Sequence, residues 1–566
     1  MKNYFEKCSR LIREDAFDQL QPAATPAPLL FNWVAEIFEG IHLQQRPDAS
    51  ALIWTDGDHT LRFSFAQLSR KSNQLLNFIR RLGGAEGDIL YAQLPLCPEN
   101  WICYLAAIKG GIPLAPATPL LNVHDLVYRF GKLQPGIIVS DAESAPRIEE
   151  AELISGHSPR IRLLTQGSRE GWYSFADIDR ELTAATAAGT KSDDPIFLFF
   201  TSGTTGMPKI VMHSHLHYPL GHLSTAAWLG LTDKDIHYNI AQPGWAKFAW
   251  SSFFAPWNTG ACIFSYASAG RFHAATQLQV IRDYGVTSFC APPTVWRMFI
   301  LENLDHFSSS LRSCVSAEEP LNPEIIDIWL KKTGIIIRDG YGQTESTCLV
   351  ANLPGQTIKP GSMGKPVFLY DIHIVDDEGH PLPVTETGNV VVKLQPAQLN
   401  GLLRGYYREP ERDQHIFKHG FYFTGDKASF DEDGYLWFIG RDDDVIKTSD
   451  YRVGPFEIES MLLEHPAVAE SAVVGSPHTV KGYIVKAFIL LAPGYTASEE
   501  LANDIFSFAR KNIAPYKIPR LLEFAEELPK TVSGKIRRVE LRMAEARQKA
   551  SANKNPAEFE YRYSNG

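Results

Sequence analysis

Apolar residues in the first half of the chain fall into short unbroken runs separated by longer stretches of mixed character. Gly136-Ile137-Ile138-Val139-Ser140, Phe197-Leu198-Phe199-Phe200 and the run ending at Ser288 to Ala291 read as buried strands, and Ala66 to Leu82 reads as a helix. Strands alternating with helices imply an α/β architecture with layered sheets. The Gly- and Pro-rich stretch Pro354 to Pro366 marks a change of character. Beyond it the strand-like runs are shorter, with turn signals at Asp377-Glu378-Gly379 and Asp433-Gly434. From about Ile439 the pattern changes again. Pro455 opens a helix in which Ile458, Met461 and Leu462 share a face. Ala469 to Gly475 and Ile484 to Leu491 read as strands, and Ser498 to Asn512 and Ile536 to Gln548 as helices, enough for a small α+β unit. The polar tail Ser551 to Gly566 is expected to be poorly ordered.

The 566 residues suggest more than one compact unit. Apolar residues make up 44% and charged residues 21%, the balance of a soluble globular protein. The net charge of −10, with no long basic run, argues against a nucleic-acid partner. The seven cysteines include no CxxC pair and cannot all be paired, which reads as reduced thiols in a cytoplasmic protein. Charges at Lys2, Glu6, Lys7, Arg10, Arg13 and Glu14 leave no secretory apolar region, and no run reaches membrane-spanning length. Peripheral membrane contact stays open, as does the choice between monomer and homodimer.

The sharpest local signal is Thr201-Ser202-Gly203-Thr204-Thr205-Gly206-Met207-Pro208-Lys209, directly after the strand-like Ile196 to Phe200. Two glycines let backbone N–H groups close around an anion, four hydroxyls add donors, and Lys209 adds charge. The spacing is not GxxxxGK[ST], and Ile210-Val211-Met212 looks like a strand, so a Walker-type loop is disfavoured. The plain alternative is a polar hairpin turn.

The complete string resembles the core motif of the adenylate-forming, AMP-binding superfamily, and the chain is similar to its medium-chain acyl-CoA synthetase branch. Four further strings stand in family order: Gly340-Tyr341-Gly342-Gln343-Thr344-Glu345, Tyr422-Phe423-Thr424-Gly425-Asp426, Gly440-Arg441-Asp442-Asp443-Asp444-Val445-Ile446-Lys447 and Leu528-Pro529-Lys530-Thr531-Val532-Ser533-Gly534-Lys535. The resemblance implies a large N-terminal domain of sheets and helices over 1–440, with a small β-barrel-like subdomain. A hinge over 441–444 and a mobile α+β lid over 445–550 would follow.

It also implies roles. ATP with Mg²⁺ would meet a carboxylic acid, and the acyl-adenylate would pass to coenzyme A. Two anions must be neutralised and aligned for that first step. The loop 201–209 would hold the phosphates, Thr344 the α-phosphate, and Glu345 the Mg²⁺. Tyr341 would stack on adenine, Asp339 and Glu318 would line its pocket, Asp426 would accept the ribose hydroxyls, and Arg441 would sit nearby. Lys535 matches the catalytic lysine, Asp443 the pivot. Ser449, Asp450, Tyr451, Arg452 and Lys481 match the coenzyme A contacts. Trp245 matches a residue guarding the acyl tunnel. Gly342 stands where acetate-specific relatives carry Trp, so the acid is expected to be larger than acetate: medium-chain, branched or aryl.

Two positions depart from the family pattern, because Glu318 and Asp450 replace glycines. Asp450 adds negative charge where an anionic cofactor would pass. An amine or a carrier-bound thiol therefore stays open as the acceptor. A degenerate nucleotide- or acyl-binding homologue is the third alternative.

Overall fold

The computed structural model describes residues 1–201, 207–268, 270, 272–305, 307–395, 399–448, 451–478, 481–530, 535–550 and 560–563, with the backbone alone of Tyr451 and Arg452. The chain divides into two compact units. One comprises Met1–Thr201, Pro208–Ile372 and Lys393–Gly420, and the other includes His373–Val392 and Phe421–Gly566.

Two large sheets organise the first unit. The eight-stranded sheet runs Gly405–Tyr406, Lys209–Ser214, Pro195–Thr201, Leu114–Ala117, Leu90–Gln93, Ile137–Ser140, Ile161–Leu164, Tyr173–Ser174. The nine-stranded sheet runs Lys365–Pro366, Cys348–Ala351, Ile337–Gly342, Ser313–Ser316, Ser288–Ala291, Ile236–Asn239, Cys262–Tyr266, Ser50–Thr55, Thr60–Ser64. Both are parallel through their middles and antiparallel at edges. Strands covered on both faces need apolar residues at every position. Ile137–Ser140 and Ser288–Ala291 are accordingly buried throughout. Helix Phe65–Arg81 starts at Ser64, whose hydroxyl accepts from the Gln67 amide while the Gln67 side chain accepts from the Ser64 amide.

In the second unit, Ile372–Val375, Gly388–Lys393, Phe421–Phe430 and Leu436–Arg441 lie in one sheet, where the sequence suggested a barrel-like subdomain. A further sheet runs Tyr451–Val453, Ile446–Thr448, Gly482–Leu491, Leu521–Phe524, Glu560–Arg562, and Val468–His478 pairs with Gly482–Leu491. Helices Pro455–Leu463 and Glu499–Asn512 bury Ile458, Leu462, Ile505 and Phe506 against this sheet. The Ser498 hydroxyl caps the second of them by accepting from the Leu501 amide at 3.1 Å.

Of the tail expected to be poorly ordered, 551–559 and 564–566 lie outside the described residues. Glu560–Arg562 is a strand paired with Leu521–Glu523, and Glu560 joins Glu523 and Glu545 around the fully buried Lys486 ammonium at 2.5–2.7 Å. An ionic socket of that kind ties Glu560 to the sheet that carries Lys486. All seven cysteines are free and buried. No helix among the described residues is long and apolar enough to cross a membrane.

Candidate active site

Ligands of open α/β sheets gather beyond the carboxyl ends of the strands. The first unit places its motif residues there. Strand Pro195–Thr201 ends at Thr201, which pairs with Lys209 at the start of the antiparallel strand Lys209–Ser214. The expected strand–loop–strand arrangement is thus present, and no helix follows the loop. Ser202, Gly203, Thr204, Thr205 and Gly206 lie outside the described residues. Met207 is exposed, and the Pro208 carbonyl accepts from the Tyr128 hydroxyl at 2.8 Å.

Lys209 points from its strand to Glu345, with Nζ 2.7 Å from Oε1. Tyr406 completes this cluster. Its hydroxyl accepts from Lys209 at 2.6 Å and donates to Glu345 Oε1 at 3.0 Å, and the Lys209 ammonium lies 4.5 Å from its ring centroid. Burial raises the Glu345 pKa, but the Lys209 charge and the two hydrogen bonds outweigh it and hold the carboxyl below its ordinary value. An ionised, half-neutralised carboxylate of this kind suits a hard cation. Sequence reading missed Tyr406. Its strand Gly405–Tyr406 is two residues long and pairs with Val211 and Met212, a contact no local pattern announces.

The backbone of Gln343 to Glu345 is fixed from two sides. His213 Nε2 meets the Thr344 carbonyl at 2.7 Å, and the Leu403 amide donates to the Glu345 carbonyl at 2.8 Å. Burial pushes His213 down to about 4, so the ring is neutral and its Nε2–H donates to that carbonyl.

Asp339, Gly340, Tyr341 and Gly342 form the end of strand Ile337–Gly342. The Asp339 carboxyl is buried and accepts from the Leu321 amide at 3.2 Å and its neighbour Gly340 at 3.0 Å; burial nevertheless pushes it up to about 7. Tyr341, Gly342, Gln343 and Thr344 are half-buried. Glu318 follows the parallel strand Ser313–Ser316 and is exposed, with φ +91°, a backbone conformation that favours the glycine it replaces.

A Cβ at Gly342 would stand 2.5 Å from Trp250 Cη2 and collide with the Thr347 carbonyl, so glycine is required where Trp250 packs against this strand. Trp245 is half-buried and precedes the short helix Ala246–Ala249, beyond the carboxyl end of strand Ile236–Asn239.

The second unit carries the remaining positions. Asp426 and Arg441 are register partners on adjacent strands, Asp426 buried and Arg441 exposed, and Arg441 Nε lies 3.5 Å from Asp443. Asp443 and Asp444 are held by Arg542, and Asp444 also meets Arg538. Lys535 is exposed, next to the Lys530–Ile536 bridge. Ser449 and Asp450 lie outside the described residues, as do the side chains of Tyr451 and Arg452. Lys481 lines a cavity of about 240 Å³ with Thr448, Ile484, Tyr516 and Arg520. Two cations beside an aromatic ring suit a phosphorylated nucleotide.

A family profile described as "AMP-binding enzyme" matches residues 41–407, and one described as "AMP-binding enzyme C-terminal domain" matches residues 457–535. The chain is 48% identical over 536 residues to the 4-hydroxybutyrate–CoA ligase 1 of Metallosphaera sedula, covering 94% of this chain and 93% of that one. It is 41% identical over 504 residues to the mitochondrial acyl-coenzyme A synthetase ACSM3 of Mus musculus, covering 88% and 86%. Among solved structures, the anthranilate CoA ligase AuaEII in complex with anthranoyl-AMP matches with a TM-score of 0.82 at 33% identity, covering 92% of this chain and 98% of that one. The two profiles thus meet both halves of one polypeptide, and the chain belongs to the AMP-binding enzymes.

Proposed function

We propose that the protein is an AMP-forming acid–thiol ligase. It joins a carboxylic acid larger than acetate to the α-phosphate of ATP, releases pyrophosphate, and passes the acyl group to the thiol of coenzyme A. The observation that carries this reading is the Lys209–Glu345–Tyr406 cluster at the strand ends flanking the loop 201–209. The names of its relatives, which act on hydroxybutyrate, acyl and anthranilate acids, support the same reaction class.

In this reading Lys209 and the loop draw the polyphosphate in, and Thr344, with its carbonyl locked by His213, faces the α-phosphate. Glu345 would hold the Mg²⁺ of ATP, an ion that neutralises phosphate charge when bound. Asp339, Tyr341, Glu318, Asp426 and Arg441 serve the nucleoside. Lys535 neutralises charge as the carboxylate attacks. The 445–550 domain then turns about Asp443, and Ser449, Asp450, Tyr451, Arg452 and Lys481 meet coenzyme A. The cavity beside Lys481 supports a nucleotide-bearing thiol over a simple amine. Seven free thiols suit a reducing compartment such as the cytoplasm.

Pyrophosphate release is measured with ATP, Mg²⁺ and a panel of short, medium, branched and aromatic acids, and thioester formation is then followed on adding coenzyme A. Acid-dependent release followed by a thioester is the expected result; release from no acid sinks the reading. If Asp450 hinders the thiol, Asp450→Gly speeds thioester formation and leaves pyrophosphate release unchanged. An equal effect on both steps would remove that role.

A further inference from the structure

Segment 560–563 joins two features of the second unit. Its first residue, Glu560, reaches the Lys486 ammonium at 2.5 Å and is also met by the Lys549 ammonium at 3.0 Å. Val485, next to Lys486 on strand Gly482–Leu491, lines the cavity of about 240 Å³ that holds Lys481, Tyr516 and Arg520. Side chains alternate along a strand, so Tyr561 and Tyr563 leave the opposite face from Glu560. The Tyr561 ring lies 5.5 Å from that of Phe524, and the Tyr563 ring 5.4 Å from that of Phe506 in helix Glu499–Asn512, both edge to face. Strand Glu560–Arg562 is too short to persist on its ladder bonds alone. The ion pairs of Glu560 and the two buried ring contacts hold it.

Tyr563 reaches the cavity through Arg520. Its amide donates to the Arg520 carbonyl at 3.1 Å, and the Arg520 guanidinium carbon lies 5.1 Å from its ring centroid. The Arg520 amide donates in turn to the Val485 carbonyl at 2.8 Å, and the guanidinium donates to the Pro515 carbonyl at 3.0 Å. Both Val485 and Pro515 line the cavity. Arg520 is therefore held between the Tyr563 ring and the cavity wall. An unsupported arginine gives up rotamer freedom each time it meets a ligand. One already packed on an aromatic ring has given it up beforehand, so its ligand binds more tightly.

We propose that segment 560–563 is a strap for the thioester-forming step: Tyr563 is a positioning residue that holds Arg520 at the cavity, and Glu560 fastens the segment to Lys486. Tyr563 acts through Arg520 and touches no reactant. Its effect falls on the affinity for coenzyme A, whose phosphates meet a cavity with an ordered arginine, and spares the formation of the adenylate. This inference rests on the ligase reading above and on its placing of coenzyme A beside Lys481. It adds the element that prepares that cavity.

Two readouts separate this role from general support of the fold. The pyrophosphate burst without coenzyme A draws on Lys535, in the same unit, but not on the cavity. The KM for coenzyme A, read from thioester formation at saturating ATP and acid, draws on the cavity. Tyr563→Ala is expected to raise that KM about three- to fivefold, the worth of the lost cation–π contact, and to leave the burst unchanged. Tyr563→Phe keeps the ring and the amide and is expected to match the wild type. Arg520→Ala raises the KM as well, and adding Tyr563→Ala to it changes nothing further. A KM unmoved by Tyr563→Ala overturns the proposal. So does a burst that falls along with the affinity, which marks Tyr563 as a support of the whole domain, and so do additive effects in the double variant, which give Tyr563 a role apart from Arg520. An unchanged KM in Arg520→Ala overturns this inference and leaves the ligase reading standing. A wild type that releases pyrophosphate but forms no thioester removes this inference and the coenzyme A step; release from no acid at all removes the ligase reading with them.

Discussion

Glu345 shows how a single carboxylate is tuned. Burial favours its protonated form, and Lys209 at 2.7 Å with Tyr406 at 3.0 Å reverses that preference. Removing the phenol removes a charge-assisted hydrogen bond, worth about 1.5–3 kcal/mol. Tyr406→Phe should therefore lower kcat/KM for ATP by roughly ten- to hundredfold, measured by pyrophosphate release. Asp339 is tuned the other way. With its pKa raised to about 7, the folded protein keeps a proton that the unfolded chain gives up above 3.8, so this group costs stability as pH rises from 3.8 to about 7. Asp339→Asn carries no such proton, and its stability relative to wild type should climb across that window in urea titrations at successive pH values. A flat difference would mean that Asp339 ionises normally. Glu318 holds φ +91° without the freedom of glycine. Glu318→Gly should raise unfolding stability by about 1 kcal/mol in the same titrations.

At the scale of elements, the sequence pattern located most strands and helices because each is governed by its own residues. Pro455 does open a helix burying Ile458, Met461 and Leu462, and the run ending at Ala291 is a fully buried strand. Two short elements were invisible for a physical reason. Gly405–Tyr406 and Glu560–Arg562 are too short for periodicity to register, and each exists through what it pairs with: Val211 and Met212 in one case, Leu521 to Glu523 in the other. Lys486 illustrates the second. Its side chain is fully buried among Glu523, Glu545 and Glu560, and the three carboxylates outweigh burial to hold its pKa above the ordinary value. Lys486→Met leaves those carboxylates crowded around an apolar chain. It should destabilise this unit by about 3–5 kcal/mol, read as a lower urea midpoint.

Across the whole molecule, buried histidines set the response to acid. His42, His213 and His215 are pushed down by burial to about 4, and His237 to about 3. Unfolding frees each to titrate at its ordinary value of 6.5. The stability they confer is fully present above pH 6.5 and is lost as pH falls toward 4. These four outnumber Asp339, whose effect has the opposite sign, so net stability should rise from pH 4 to 6.5, measured as a rising urea midpoint of the first unit. A midpoint independent of pH in that range would show the histidines to be solvated.

The sequence by itself determined the class of the chemistry. A nine-residue loop and four further strings fix which groups are available and in what order, because a family's reacting residues sit in short local segments that read without knowledge of the fold. Tertiary structure decided what surrounds those groups. Trp228 and Trp250 lie at ordinary-looking positions, and only the fold shows that they pack against Gly340 and Gly342. Periodicity reports which residues face inward, but long-range packing decides which of them meet.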